Sequence, residues 1–244
     1  MSEIIELKNV FFSAHDRDIV QDVSLEFETS KTTAIVGPSG CGKSTVLKLA
    51  AGLLVPNRGE VLFKGKNVAH MNRGDNLEFR REGAFVFQDS ALWANQNLDE
   101  ILELPLKIHY PAMSKFQRAQ RIKEVAAEVD YRKNLSIRPD RLSMGEQKLI
   151  AFARAMLCGP SLLFLDEWTE SLDETAADRL IDIVRLKKSE GASILFVSHD
   201  LRIIRDIADF IVLIVDGKVS MKASKDQITG DTKLANFLRM GIAS

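Results

Sequence analysis

Four short apolar runs, each ending in a polar or glycine-rich turn, organise the chain. Thr33-Ala34-Ile35-Val36 leads into Gly37, and Leu162-Leu163-Phe164-Leu165 leads into Asp166-Glu167. Ser193-Ile194-Leu195-Phe196-Val197 precedes Ser198-His199, and Ile211-Val212-Leu213-Ile214-Val215 precedes Asp216-Gly217. None alternates between apolar and polar residues, so each reads as a strand buried on both faces, the habit of a parallel sheet covered by helices. Between the second and third runs, Ala177, Leu180, Ile181 and Val184 fall at helical spacing and mark an amphipathic helix. Strand and helix in alternation predict a wound α/β core. The first thirty residues differ: short alternating strands around Val10 to Phe12 and Val23 to Phe27 predict an antiparallel sheet beside that core. From about Asn97 to Met156 the pattern turns helical, with a charged stretch from Ser114 to Lys133. No repeat or low-complexity linker interrupts the chain. The reading is one domain over 1–244, with a core lobe of about 1–88 and 162–244 and a helical lobe of about 89–161 inserted into it.

Composition narrows the class. The 244 residues are 45% hydrophobic and 27% charged, which describes a globular chain rather than a tail or fibre. A chain of this length buries enough surface to need neither disulfide nor structural metal. Its cysteines, Cys41 and Cys158, are too few for a secreted scaffold and point to a reducing compartment. With 33 Lys+Arg against 34 Asp+Glu, the balance of -1 supplies no global drive toward nucleic acid or anionic lipid. The opening residues carry Glu3 and Glu6 where a signal peptide needs basic ones. No run approaches the roughly 20 apolar residues that cross a bilayer, so a membrane role has to come through a partner.

The chemistry begins at Gly37-Pro38-Ser39-Gly40-Cys41-Gly42-Lys43-Ser44, which matches G-x-x-x-x-G-K-[ST], with Thr45 leading into a helical run from Val46 to Leu53. Such a loop turns several backbone N–H groups onto phosphates at a helix N-terminus. Lys43 adds charge for the β- and γ-phosphates, and the Ser44 hydroxyl binds Mg²⁺. The amide dipoles around Cys41 would lower a thiol pKa and make it oxidisable; its plainer role is a small residue at a variable position. After the run Leu162 to Leu165, Asp166 is placed to hold Mg²⁺ and Glu167 to orient or deprotonate an attacking water. Leu142-Ser143-Met144-Gly145-Glu146 stands shortly upstream.

Taken together these elements resemble the nucleotide-binding domain of the ATP-binding cassette (ABC) family, from about Ile4 to the C-terminus. Gln88 follows the strand-like Ala84-Phe85-Val86-Phe87, the signature lies at Leu142 to Glu146, and Ser171-Leu172-Asp173 and His199 come after Asp166-Glu167. The resemblance implies a P-loop NTPase fold, α/β with mostly parallel strands, an N-terminal antiparallel β subdomain and an inserted helical subdomain. It implies ATP and Mg²⁺ as ligands, Gln88 as a contact to Mg²⁺, the attacking water and a membrane partner, and His199 at the γ-phosphate. It also implies that Ser143 and the amides near Gly145 cover the nucleotide of a second copy in a head-to-tail dimer. The other histidines, His15, His70 and His109, read as exposed or loop residues.

Three positions depart from the family pattern. Met144 replaces a glycine of the signature. Ala14 falls where an aromatic stacks on adenine, leaving Phe12, two residues earlier on the same strand face, as the candidate contact. Trp168 stands where proline commonly follows the catalytic glutamate. The stretch Phe87-Gln88-Asp89-Ser90-Ala91-Leu92-Trp93, with Asn97-Leu98 and Leu104-Pro105-Leu106, is similar to ATPases of bacterial MCE-type (Mla-like) lipid transport systems, as is the ending Asn236 to Ile242. That similarity implies a subunit on the cytoplasmic face of the inner membrane, held by integral permease subunits, with an MCE-type lipid-binding protein in the same system and no nucleic-acid partner. The alternatives are the ATPase of a small-solute importer or lipoprotein exporter, a catalytically weak regulatory cassette, and a non-transport cassette acting on DNA or the ribosome. The last usually carries tandem cassettes or a long coiled-coil insertion, for which the stretch between Gln88 and Ser143 is too short. Trp93 is expected where core and helical lobe meet, either exposed for docking or packed inside the lobe.

Overall fold

The computed structural model describes residues 3–230; the ending noted above lies outside them. The chain opens with two long antiparallel strands, β1 (Glu3–Ala14) and β2 (Arg17–Glu28). These are far longer than the short strands expected. Backbone irregularities hide their length from the pattern: the β1–β2 register shifts around Leu7/Val10 and Val10/Phe12, and Asn9 and Asp22 take positive φ. Each bulge moves the next side chains to the other face and breaks the period of two. The connecting pair His15-Asp16 has φ 50 and 57, the left-handed geometry of a tight hairpin turn.

Then follow β3 (Thr32–Val36), α1 (Lys43–Ala50), β4 (Arg58–Phe63), β5 (Lys66–Asn67), α2 (Arg73–Glu82) and β6 (Gly83–Val86). Helix α1 stops before the expected Leu53. Gly52, at φ 61, donates to the Leu49 carbonyl while Leu53 donates to that of Lys48, a Schellman stop that glycine alone enters without strain. Next come α3 (Leu98–His109), α4 (Lys115–Glu128) and α5 (Met144–Met156). The core resumes with β7 (Leu162–Asp166), α6 (Glu174–Ser189), β8 (Ser193–Val197), α7 (Leu201–Ile207), β9 (Phe210–Val215), β10 (Lys218–Ser224) and α8 (Lys225–Gly230).

Two sheets result. One runs β2-β1-β4-β5 and is antiparallel; the other runs β10-β9-β3-β8-β7-β6, parallel from β9 to β6 with β10 antiparallel at its edge. The parallel strands have no polar face because both faces are covered. Ala34, Val36, Leu163, Leu165, Ile194 and Phe196 join the core shared with α3 to α7. Ile35, Leu162, Phe164, Leu195 and Val197 point the other way, into the core shared with α1 and the antiparallel sheet. The four apolar runs of the sequence are therefore the middle layer of a sandwich, and their C-terminal ends share one edge.

The histidine reading needs one correction. His15 and His70 are exposed, but His109 ends α3 half-buried, with its Nδ1 buried and without a hydrogen-bond partner among the described residues. Burial and the nearby Arg81 hold its pKa below the ordinary imidazole value.

Candidate active site

Strands β3, β6, β7 and β8 end side by side, and the loops leaving them build a cleft of about 280 Å³ lined by Gly37, Ser39, Lys43, Gln88, Glu167 and His199, with Glu170 and Ser198. The C-terminal edge of a parallel sheet is where such folds hold ligands. The glycine loop keeps its curl because two positions admit no side chain. A Cβ on Gly37 would stand 2.1 Å from the Ile214 carbonyl oxygen, and one on Gly42, at φ 100, 2.7 Å from that of Ile19. Gly42 is also the residue from which α1 starts, so the loop amides and the helix N-terminus face the same way. The Lys43 ammonium lies within the curl, donating at 2.8 Å to the carbonyls of both Gly37 and Pro38. Gly40 and Ser39 are exposed at the loop tip and Thr45 sits in the first turn of α1. Cys41 is buried under the loop. Burial pushes its thiol up, opposite to the lowered value that the loop dipoles alone predict, and its role is packing.

At the end of β7 two acids take different surroundings. Asp166 is buried and accepts a 2.8 Å hydrogen bond from the Ser44 hydroxyl. Desolvation raises its pKa, opposed by that hydrogen bond and by Lys48, Lys148 and Lys43. A hydroxyl and a carboxylate side by side at a phosphate loop are the hard oxygen donors that Mg²⁺ takes, so the residues fit that ion. Glu167 has φ 44 and donates its N–H to the Val197 carbonyl at 3.1 Å, which turns its side chain out of the strand into the cleft. Burial raises its pKa; His199 opposes this, and Glu170 and Asp166 add to it. His199 Nδ1 lies 3.1 Å from Glu167 Oε2. The Gln88 amide donates to Glu170 Oε2 at 2.9 Å.

Other expected residues stand apart from this cleft. Ser143 caps α5, its hydroxyl accepting from the Glu146 N–H at 3.2 Å while Glu146 Oε2 accepts from the Ser143 N–H at 2.9 Å. The helix begins at Met144. Met144 points to solvent, 70% exposed, and does not crowd the helix end. Gly145 faces the loop after β7, where a Cβ would stand 3.3 Å from the Ser171 carbonyl oxygen. Phe12 pairs with Val20 and lies half-buried against the core of the antiparallel sheet, outside the lining of this cleft. Trp168 is fully buried, edge-on to Phe196 at 5.3 Å, and roots the loop after Glu167 in the core. Two cleft residues escaped the sequence reading. Glu170 has no sequence signal beyond its nearness to Glu167. Lys148 does have one: it is a charge on the apolar face of α5, one turn before Ala151 and Phe152, and it is buried.

The profile of the ABC transporter family matches residues 20–170, from the second strand to the loop after Glu167. The chain belongs to the ABC transporter family. It is an ATP hydrolase of that family's cassette type. Over 239 residues it is 30% identical to the intermembrane phospholipid transport system ATP-binding protein MlaF of Haemophilus influenzae, covering 97% of this chain and 90% of that one. The nickel import ATP-binding protein NikE of Shigella flexneri is 32% identical over 229 residues, covering 92% of this chain and 85% of the relative. Among solved structures, the cassette MJ0796, in a dimeric post-hydrolysis state bound to ADP and Pi, superposes with a TM-score of 0.83 at 28% identity, covering 91% of this chain and 98% of that one. No helix among the described residues is long and apolar enough to cross a membrane.

Proposed function

We propose that this ABC cassette binds Mg-ATP between two copies of itself arranged head to tail, and that hydrolysis drives phospholipid movement through membrane permease subunits. The observation that carries the hydrolytic half is the Glu167–His199 pair facing the phosphate loop across one cleft. In this reading Gly37 to Thr45 bind the phosphates, with Pro38 and Cys41 shaping the loop and Gly40, Gly42 and Ser39 turning amides inward. Lys43 moves from its own loop carbonyls onto the β- and γ-phosphates. Ser44, Asp166 and Gln88 hold Mg²⁺, which when bound neutralises the charge between those phosphates. Glu167 takes the proton of the attacking water at its carboxylate, and its raised pKa brings it nearer the operating pH. His199, oriented through Nδ1, leaves Nε2 for the γ-phosphate. Ser143 and the amides at Gly145 lie at a helix end outside the lining of this copy's cleft, with Ser143 exposed, so the site is read as composite, that end covering another copy's nucleotide.

The lobe of about 89–161 is read as the part that meets the permease. A groove of about 510 Å³ runs between β6 and α3, walled by Phe85, Phe87, Trp93, Ile108 and Arg81, with Trp93 44% exposed. This favours the docking role for Trp93 over packing inside the lobe. Phospholipid cargo of MCE type is supported by the Phe87 to Pro105 resemblance and by the near full-length similarity to MlaF. NikE is 32% identical over a slightly shorter span, and the lipid and permease recovered with the protein distinguish the two cargoes.

Two measurements test it. Glu167→Gln protein with Mg-ATP is expected to sediment as a dimer, alone or on its permease; a purified complex holding one copy and no related cassette defeats the composite site. Native purification in mild detergent, with identification of bound lipid and membrane subunits, is expected to yield phospholipid and an MCE-type protein. Recovery of a small-solute permease instead moves the assignment to the importer alternative.

A further inference from the structure

Strands β6 and β7 pair as far as Val86 and Leu165, and beyond that point their chains separate toward the cleft. Phe87 and Gln88 leave one strand, Asp166 and Glu167 the other; turn N–H groups of Ser90 and Glu170 reach the Phe87 and Glu167 carbonyls at 3.2 Å, which leaves the second lone pair of each and the Gln88 carbonyl for a side-chain donor. Lys148, 2% exposed on α5, fills the gap. Its ammonium donates to the carbonyls of Gln88 at 2.5 Å, Phe87 at 3.3 Å and Glu167 at 3.4 Å. Three N–H donors meet three carbonyl acceptors, so the group is matched in number as well as charge. Burial lowers its pKa, while Glu170, Asp166, Asp89 and Glu167 around it favour the ammonium form.

We propose that Lys148 is a positioning residue for hydrolysis, holding the backbones of Gln88 and Glu167 in one fixed relation and tying both to the helix that carries Ser143. The proposal rests on the reading of Glu167 as the base. Glu167 leaves its strand at a positive φ with its N–H on the Val197 carbonyl of β8, and Gln88 begins a loop, so no sheet hydrogen bond ties these two main chains to each other. A shift of about 1 Å in either would misplace the attacking water, an error that costs roughly a hundredfold in rate while leaving phosphate binding alone. Because α5 starts four residues before Lys148, the same ammonium joins a copy's own base to the helix end offered to its partner's nucleotide.

Lys148→Met keeps an unbranched apolar stem one atom shorter and removes all three donors; Lys148→Gln keeps two. In the full-length protein, Lys148→Met is expected to lower kcat roughly ten- to a hundredfold with the affinity for Mg-ATP, read by a fluorescent ATP analogue, within about threefold of wild type. Lys148→Gln should recover part of that loss. In a Glu167→Gln background, Lys148→Met should add little further loss, since groups that act as a unit are not additive. Wild-type kcat in Lys148→Met overturns the proposal. So does a parallel fall of kcat, ATP affinity and Tm, or a full multiplicative loss in the double variant. Should Lys148→Met fail to fold, Lys148→Gln decides: lowered kcat at unchanged ATP affinity supports the role, and wild-type kcat removes it. Undiminished turnover in Glu167→Gln alone identifies instead a failure of the underlying base assignment.

Discussion

Glu167 concentrates the chemistry of a single residue. Its carboxyl pKa is raised chiefly by burial, and the same burial that makes it a better base costs the folded state. For a carboxylate whose folded pKa lies above its unfolded one, the folded form binds the proton more tightly. The favourable contribution is therefore present below the unfolded pKa and lost as pH rises through the folded value. Asp166 follows the same sign. Glu167→Gln is thus expected to lower kcat by about 10²- to 10⁴-fold while its Tm at pH 7.5 matches or exceeds that of wild type; a clearly lower Tm contradicts the electrostatic account. The acid limb of the kcat–pH profile should lie above the ordinary carboxylate range. Glu170→Gln removes a charge that raises the Glu167 pKa, so it should move that limb to lower pH.

Elements obey simpler rules. Helix α3 starts with a reciprocal capping box, in which the Asn97 side chain accepts from the Glu100 N–H at 2.8 Å and Glu100 Oε2 accepts from the Asn97 N–H at 2.9 Å. Asn97→Ala should cost about 1 kcal/mol in denaturant unfolding and leave basal kcat unchanged. The loop after β7 is held differently, by Trp168 against Phe196. Trp168→Ala opens a cavity in the main core, and about 3 to 5 kcal/mol of stability should be lost, seen as a lowered unfolding midpoint. A loss below 1 kcal/mol there means the loop relaxes into the gap.

For the whole molecule, Trp93 separates what belongs to the cassette from what belongs to its complex. Its ring is half open to solvent, 5.6 Å from the Arg154 guanidinium, whose own N–H groups hold the carbonyls of Ala91 and Ser90. Trp93→Ala is therefore expected to leave the isolated protein with a near-wild-type Tm and basal ATPase while abolishing permease association and stimulation. A mutant that still couples fully places docking elsewhere.

The sequence determined much of this by local pattern. Non-alternating runs marked the covered strands, and the loop from Gly37 to Ser44 and the acids at 166 and 167 were legible because their chemistry depends on neighbours in the chain. Strand length in the hairpin was not legible, since bulges at Asn9 and Asp22 reverse the apolar face without a compositional mark. Residue roles that depend on distance in space were decided only by tertiary structure. His199 meets Glu167 because β7 and β8 are neighbours in the sheet, and Lys148 reaches Gln88 and Glu167 because α5 packs against β6. Phe12 lies half-buried against the core of its sheet, a placement that the spacing to Ala14 does not reveal. Chain-local spacing sets which groups are available, and the crossing of strands and helices sets which of them share a cleft.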